Sequence, residues 1–352
     1  MSDDRELLTK DLYLAKLARR SRITARAHET AINSFDEYLE KEKISSQEIK
    51  KKPLKILGGF VEHLEQGDKK ARSINSYLNR LKRYFRLCFG IKLDSDDFKD
   101  FVALPQIIEE ELEPLTKDEL KLILQNISNP RRKALVWFIS STAVRIGEAL
   151  QVRVKDIDFT VNPVLVTLPV KITKGKKRTR YQYLTRENTP LIHAICSDLE
   201  ENDRVFTSAK SLDDANTLEH IALNRLLDKI KLNSKYEFNG RYKKSFHSMR
   251  AFVSSQIYNQ TRDSEYAHAY LGHGTYLNQY LRKSDVERAK MFTEIEPALM
   301  IFEEYVVSND QEMKKELNEI KTKMKKYKVL DDILDNLEQP KLEAILQNLS
   351  KN

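Results

Sequence analysis

A proline-bracketed acidic stretch divides this sequence of 352 residues into two parts. Residues 103 to 114 read ALPQIIEEELEP, and Pro105 and Pro114 are unfavourable in the interior of a helix. A new helix is predicted to begin at Thr116, because Glu119 three residues later completes a capping box. We therefore predict a linker at 106–114, with a domain boundary near Glu113.

The first part, residues 1–105, is predicted to form a helical domain. Apolar residues recur there at helical spacing in two segments, and the whole chain has nine glycines, which favours helix over sheet. The first segment contains Ile32, Phe35, Tyr38 and Leu39; the second contains Ile74, Tyr77, Leu78, Leu81, Tyr84 and Phe85.

Basic residues cluster on the polar sides of these helices. The chain has a formal net charge of +8, which suits a polyanionic partner. The candidate DNA-binding residues are Arg19, Arg20, Arg22, Arg26, Arg80 and Arg83. Two interpretations stay open at this point: a solvated helix face, or a helical module that binds phosphates.

The second part is predicted to be mixed, with helices on both sides of a short β-rich stretch. Residues 163–185, PVLVTLPVKITKGKKRTRYQYLT, predict a hairpin with a basic tip. We assign 115–305 to this domain and 306–352 to a C-terminal helical tail. Met313, Leu317, Ile320 and Met324 give the tail a short heptad pattern, which predicts a helix that packs on its own chain or on a neighbour. The fold class is thus mainly α with a small β-hairpin or sheet.

Polar residues with catalytic potential recur along the second part. Arg145 and Glu148 are spaced i, i+3 in the segment STAVRIGEAL, and Lys174 lies at the hairpin tip. Each has an ordinary interpretation as well, since a surface ion pair and an exposed turn lysine are common. In SFHSMR, Ser245 is predicted to cap a helix on which His247 and Arg250 share a face, so both could reach the same oxyanion. His273 follows in LGHG, at a tight turn.

The order and spacing of these residues resemble the tyrosine recombinase family, also called the phage integrase family, of the Xer or integrase type. RIGE, HSMR and LGH occur in this family's order, with a hairpin lysine between the first two. The resemblance covers about Pro114 to Tyr280, and the first domain is similar to the family's helical core-binding domain. An archaeal origin and a mobile-element origin both fit it.

The resemblance implies a role for each matching residue. Arg145 and Arg250 would hold the non-bridging oxygens of the scissile phosphate, and Lys174 would protonate the leaving 5′-hydroxyl. His247 and His273 would donate hydrogen bonds to the phosphoryl group and assist proton transfer. Glu148 would hold these residues in place without contacting the phosphate itself.

The nucleophilic tyrosine departs from the family's usual position, about nine residues after the LGH histidine. That position is Arg282 here, whereas Tyr280 lies seven residues and Tyr276 three residues after His273. We expect Tyr280 to be the nucleophile, with Tyr276 as the alternative. Both could instead be core aromatics, because they are spaced i, i+4 on a predicted helix.

Cationic side chains can perform this chemistry without a metal or a nucleotide cofactor. Phosphoryl transfer builds negative charge on the equatorial oxygens, and fixed cationic donors stabilise it. The sequence has no carboxylate cluster spaced for Mg²⁺ and no phosphate-binding glycine loop. A phosphotyrosine ester conserves the bond energy, so rejoining needs no ATP. We therefore expect no metal and no cofactor.

The sequence thus predicts a site-specific DNA recombinase that integrates or excises a mobile element or resolves chromosome dimers. The resemblance implies double-stranded DNA with inverted-repeat sites as partner, and a tetramer on DNA formed from free monomers or dimers. Two alternatives stay open: a type IB topoisomerase-like nicking and resealing enzyme, and an inactive DNA-binding protein of the same fold.

The sequence also suggests a cellular location. Cys88 and Cys196 lie in apolar contexts and outside any CxxC pair, which is typical of reduced thiols. The sequence has no apolar signal region at its start and no apolar run of membrane-spanning length. We expect a cytoplasmic protein with no membrane partner.

Overall fold

The computed structural model describes residues 7–111, 113–173, 178–272, 283–302 and 322. These residues are mainly helical and include a three-stranded sheet, which confirms the predicted fold class. They divide into two compact units. The first contains the described residues up to Glu111 together with Tyr236–Arg241, and the second contains the rest. The domain limits given above stay predictions.

The first unit is a set of helices joined by short connections. They are α1 (Lys10–Ala18), α2 (Arg22–Lys41), α3 (Ser46–Lys51), α4 (Pro53–Gln66), α5 (Ala71–Tyr84) and α6 (Ser95–Val102), and a π-helical turn, Phe85–Phe89, follows α5. Ser21 caps the start of α2, because its side chain accepts a hydrogen bond from the Thr24 backbone N–H.

The core of the first unit contains the apolar residues that the sequence places on helix faces. Phe35 of α2 and Leu78 of α5 are fully buried where these two helices pack against each other, and Phe60 of α4 contacts Phe35 edge-on. Tyr77 and Leu39 are partly buried at the edge of this core. Of the predicted basic residues, Arg19, Arg20, Arg22, Arg26 and Arg83 are exposed outside this core, and Arg80 is half-buried at its edge.

The second unit contains a longer series of helices. They are α7 (Lys117–Gln125), α8 (Pro130–Thr142), α9 (Ile146–Ala149), α10 (Thr189–Cys196), α11 (Leu212–Lys229), α12 (Phe246–Thr261), α13 (Ser264–Tyr270) and α14 (Asp285–Leu299). The predicted capping box of Thr116 and Glu119 is present at α7, and the predicted cap Ser245 begins α12.

The sheet lies between α9 and α10 in the chain. Its strands are β1 (Ile157–Asp158), β2 (Leu165–Leu168) and β3 (Arg180–Tyr183), paired antiparallel in that order. Leu165 lies opposite Tyr183 and Leu168 lies opposite Arg180, so β2 and β3 form the predicted hairpin. Its predicted tip, which includes Lys174, lies outside the described residues.

Helix α8 organises the second unit because it is buried on nearly every side. Phe138 and Ile139 are completely inaccessible, and α12 packs along this helix. Because even Ser140, Ser141 and Thr142 at its end are buried, this helix lies in the interior of the unit. Helix α12 also packs against α13 and α14, so the residues at the end of α8, on α12 and after α13 lie close together.

The predicted helical tail from 306 onwards lies outside the described residues, apart from residue 322. Among the described helices, none combines the length and apolar character needed to cross a membrane.

Candidate active site

Arg145 and Glu148 lie at the start of α9, immediately after α8. Ala143 ends α8 with a φ of 54°, in the left-handed region, so the chain changes direction before Arg145. Glu148, 3% exposed, accepts hydrogen bonds of 3.3 Å from both the backbone N–H and the Nη1 of Arg145. The side chain of Arg145 is 29% exposed. The predicted pair is therefore a fixed arginine with a buried carboxylate behind it.

Arg250 lies on α12 and joins two other parts of the site. Its guanidinium donates one hydrogen bond to the carbonyl oxygen of Ala143 and another, of 3.1 Å, to that of Leu271. The side chain is 4% exposed, and its burial, together with the charges of Arg145 and Arg180, lowers the pKa of Arg250 to about 9. A bound anion would stabilise the charged form of Arg250, because its negative charge would offset the unfavourable burial of the guanidinium.

His247 lies on the first turn of α12, three residues before Arg250, and is exposed. The start of this helix is fixed by the buried Lys244, whose Nζ donates to Glu119 Oε2 at 2.9 Å and to the Pro114 carbonyl oxygen at 3.2 Å. The spacing of His247 and Arg250 on one helix follows the prediction.

Arg180, the first residue of β3, also belongs to the site, and sequence reasoning did not identify it. It is 6% exposed, and its Nη1 donates to Glu148 Oε2 at 3.0 Å. Burial lowers the pKa of Arg180, an effect that the Glu148 charge opposes. The signal was the alternation of the strand: Arg180 and Gln182 are both buried, and two polar residues on the inner face of a strand indicate a polar site.

The turn after α13 is held against β3 by polar contacts. Gln182 Nε2 donates to the Tyr270 carbonyl oxygen at 2.9 Å, and Arg180 Nη2 donates to the same oxygen at 3.4 Å. Gly272 has a φ of 77°, which explains why glycine occupies this turn. The turn at Tyr270–Gly272 therefore lies beside the buried Arg180 and Arg250.

Behind the turn, buried polar groups connect α13 to α8. The Tyr270 hydroxyl donates to the Ser141 carbonyl oxygen at 3.2 Å, and Asn188 Nδ2 donates to the Ser141 hydroxyl at 2.7 Å. Burial raises the pKa of Tyr270 well above its ordinary value, so this hydroxyl stays protonated. Tyr270 is therefore a structural donor on the inner side of the site.

The cluster of three arginines and Glu148 has a net positive charge. Arg145, Arg180 and Arg250 contribute three positive charges and Glu148 one negative charge, a formal surplus of two. Two of these arginines are almost completely buried, so their charges are poorly screened by solvent. Such a cluster can bind an oxyanion and stabilise negative charge that develops on it.

The other predicted catalytic residues, Lys174, His273, Tyr276 and Tyr280, lie outside the described residues. In the parts that the structure does describe, no group of three or more histidine, cysteine, aspartate or glutamate side chains is placed to hold a metal ion.

The predicted DNA-binding arginines are on the first unit. Arg22 and Arg26 lie on α2, Arg19 and Arg20 lie between α1 and α2, and all four side chains are exposed. On α5, Arg83 is exposed, and Arg80 is half-buried and donates to the Ser76 hydroxyl.

Comparison with known proteins gives a family for both parts of the chain. The model of the phage integrase family matches residues 113–287, and that of the phage integrase N-terminal SAM-like domain matches residues 11–88. Tyrosine recombinase XerC from Anoxybacillus flavithermus (strain DSM 21510 / WK1) is 23% identical over 270 residues, which are 72% of this chain and 84% of the relative.

Solved structures share this fold. The Tn1549 transposon integrase in complex with transposon right end DNA aligns with a TM-score of 0.56 and 17% identity, over 81% of this chain and 98% of that one. The XerH site-specific recombinase bound to palindromic difH substrate aligns with a TM-score of 0.55 and 20% identity, over 82% of each chain.

The two family matches cover most of the chain in the predicted order, and the arginine cluster lies within the larger match. The chain belongs to the phage integrase family of tyrosine-type site-specific recombinases.

Proposed function

We propose that the chain cleaves and rejoins double-stranded DNA at specific sites through a 3′-phosphotyrosine intermediate, without a metal or ATP. The observation that carries this proposal is the convergence of Arg145, Arg250 and Glu148. Arg145 and Arg250 come from different elements, yet they are close enough for the charge of Arg145 to lower the pKa of Arg250. The surplus positive charge suits a phosphodiester.

The proposed residue roles follow the chemistry of phosphoryl transfer. The phenol oxygen of Tyr280 forms a bond to phosphorus as the bond from phosphorus to the 5′-oxygen breaks. Lys174 gives its proton to that leaving oxygen, while Arg145 and Arg250 bind the non-bridging oxygens, on which charge develops. His247 and His273 donate further hydrogen bonds and assist proton transfer, by which the phenol proton of Tyr280 is taken up. Attack of a 5′-hydroxyl on the phosphotyrosine reverses these steps and rejoins a strand.

Double-stranded DNA with inverted-repeat sites is the proposed partner. The exposed arginines of the first unit would neutralise backbone phosphates, which gives a salt-dependent affinity. The XerH and Tn1549 integrase structures are complexes with DNA, which supports the same partner here. We further propose that four protomers exchange strands on paired sites, with the linker at 106–114 joining a core-binding and a catalytic domain.

The biological role that we favour is integration and excision of a mobile element, with chromosome-dimer resolution as the alternative. The tail from 306 to 352 would then supply a further protein contact. A cytoplasmic location remains part of this proposal.

The test is trapping of the covalent intermediate on a nicked suicide substrate that carries the element's end sequence. We expect a denaturation-resistant protein–DNA adduct from the wild type and from Tyr276→Phe, and none from Tyr280→Phe. Tyr258→Phe, which changes an exposed tyrosine on α12, is the matched control and should form the adduct. Adduct formation by Tyr280→Phe but not by Tyr276→Phe would assign the nucleophile to Tyr276.

Assays of the wild-type protein on DNA also distinguish the alternative functions. Recombinant product from two paired sites supports a recombinase, whereas relaxation of supercoiled DNA without recombinants would favour a topoisomerase-like enzyme. Binding of DNA with no covalent species under any condition would favour an inactive DNA-binding protein.

A further inference from the structure

Arg180 lies on β3 and contacts two other parts of the site: Glu148 on α9 and the turn at Tyr270–Gly272. We propose that Arg180 is a positioning residue that fixes Glu148, and through it Arg145, against the turn at Tyr270–Gly272. This inference rests on the proposed function, because the positioned groups are those assigned to the scissile phosphate.

The first contact is with the carboxylate that holds Arg145. Glu148 Oε2 receives the Nη1 hydrogen bond of Arg180 at 3.0 Å, and Glu148 Oε1 receives that of Arg145 at 3.3 Å. The carboxylate thus lies between two cations, each bonded to a different oxygen. Without Arg180, Glu148 would keep its hydrogen bonds from the backbone N–H and the Nη1 of Arg145, but its Oε2 would lose the hydrogen bond from β3 that fixes the carboxylate on its other side.

The second contact is with the turn that follows α13. Arg180 Nη2 donates to the Tyr270 carbonyl oxygen at 3.4 Å. The guanidinium also covers Gly272, since a Cβ atom built there would lie 2.4 Å from Arg180 Cζ and 2.5 Å from Nε. The guanidinium of Arg180 therefore packs directly against the turn at Tyr270–Gly272.

The partners of Arg180 indicate a positioning role. Its side chain is 6% exposed, and its two terminal nitrogens donate to the Glu148 carboxylate and to the Tyr270 carbonyl oxygen, whereas Arg250 donates only to main-chain carbonyl oxygens. Lysine cannot reproduce this arrangement, because its ammonium is a point charge without the planar fork that bonds two acceptors in different directions.

The experiment compares Arg180→Met and Arg180→Lys with wild type in single-turnover cleavage of the suicide substrate. Arg225→Met, which removes an exposed arginine from α11, is the matched control and should cleave at the wild-type rate. We expect the cleavage rate to fall at least thirtyfold in Arg180→Met and at least fivefold in Arg180→Lys, while the DNA dissociation constant changes less than threefold. Wild-type cleavage by both variants would overturn the proposal.

A double-variant cycle distinguishes positioning from a general structural effect. If Arg180 acts through Glu148, Arg180→Met combined with Glu148→Gln should lose little more activity than the more impaired single variant. Losses that multiply would show independent roles and overturn the proposal. Where Arg180→Met fails to fold, as judged by circular dichroism, Arg180→Lys combined with Glu148→Gln gives the same comparison.

Sulfate binding provides a readout that does not depend on cleavage. We expect sulfate to raise the melting temperature of the wild type, and this shift to fall by at least half in Arg180→Met but not in Arg225→Met. If the wild type cleaves no DNA, the proposed function fails, and the sulfate comparison still decides on Arg180. An unchanged sulfate shift in Arg180→Met would overturn the positioning role.

Discussion

Gly272 and Arg180 lie so close together that no side chain fits between them: a Cβ atom at Gly272 would lie 2.4 Å from the Arg180 guanidinium carbon. Gly272 also has a φ of 77°, a conformation that costs an L-amino acid about 1–2 kcal/mol. Two independent constraints, one from the backbone and one from the neighbouring side chain, therefore require glycine at this turn.

Gly272→Ala should accordingly lower the free energy of unfolding by about 2–5 kcal/mol, because overpacking adds about 1–3 kcal/mol to the backbone cost. Chemical denaturation of the purified variant measures this change. Gly240→Ala is the control, since Gly240 has a φ of 66° but no atom within 4 Å of the position that a Cβ atom would take. It should lose only the backbone share, and equal losses for the two variants would contradict the contact with Arg180.

Local sequence patterns predicted much of the fold because they depend on near neighbours. The capping box of Thr116 with Glu119 involves residues three positions apart, and the cap at Ser245 acts on Ser248. The hairpin followed from a β-rich stretch interrupted by a basic turn. These features need no knowledge of tertiary packing.

Arg180 could not be assigned in this way. Its partners Glu148 and Tyr270 lie 32 and 90 residues away in the chain, so only the packing of β3 against α9 and α13 brings them together. The backbone conformation of Ala143 could not be predicted from the sequence either. Nothing in the segment TAVR indicates that Ala143 ends α8 with a φ of 54°, where its carbonyl oxygen accepts a hydrogen bond from Arg250.

Chelation should leave cleavage unchanged. Because the arginines of the cluster already supply a surplus of positive charge, the developing phosphate charge needs no metal to balance it. We expect equal adduct yields with and without EDTA on the suicide substrate. A Mg²⁺-dependent restriction endonuclease acting on the same DNA serves as the control and must stop. Cleavage that disappears with EDTA and returns with Mg²⁺ would contradict the metal-free mechanism.

Glu187 fixes the end of the described catalytic unit. Its carboxylate accepts hydrogen bonds from the backbone N–H groups of Ile301 at 2.7 Å and Phe302 at 2.8 Å, just beyond α14. Glu187→Ala leaves these two buried residues without that acceptor, so we expect a loss of about 1–3 kcal/mol in unfolding free energy. Glu294→Ala, at an exposed position of α14, should change stability by less than about 0.5 kcal/mol. Equal stability of the two variants would show that Glu187 does not hold this segment.

His28 should make the protein sensitive to acid. It is buried in the first unit, where the Tyr13 hydroxyl lies 2.8 Å from its Nδ1. Burial, reinforced by the charges of Arg80 and Arg83, lowers the pKa of His28 from 6.5 to about 4. The unfolded chain therefore binds a proton at a higher pH than the folded chain. The stability contributed by neutral His28 is fully present above pH 6.5 and is lost as the pH falls toward 4.

We expect this loss to reach about 3 kcal/mol, since each pKa unit corresponds to about 1.4 kcal/mol. Denaturation at pH 7.0 and at about pH 4.5 should show a smaller acid loss in His28→Gln than in wild type, because glutamine does not titrate. Tyr13→Phe is the matched control: it removes the hydrogen bond but leaves His28 buried, so most of the acid loss should remain. If His28→Gln loses as much unfolding free energy as the wild type between these two pH values, groups other than His28 cause the acid sensitivity.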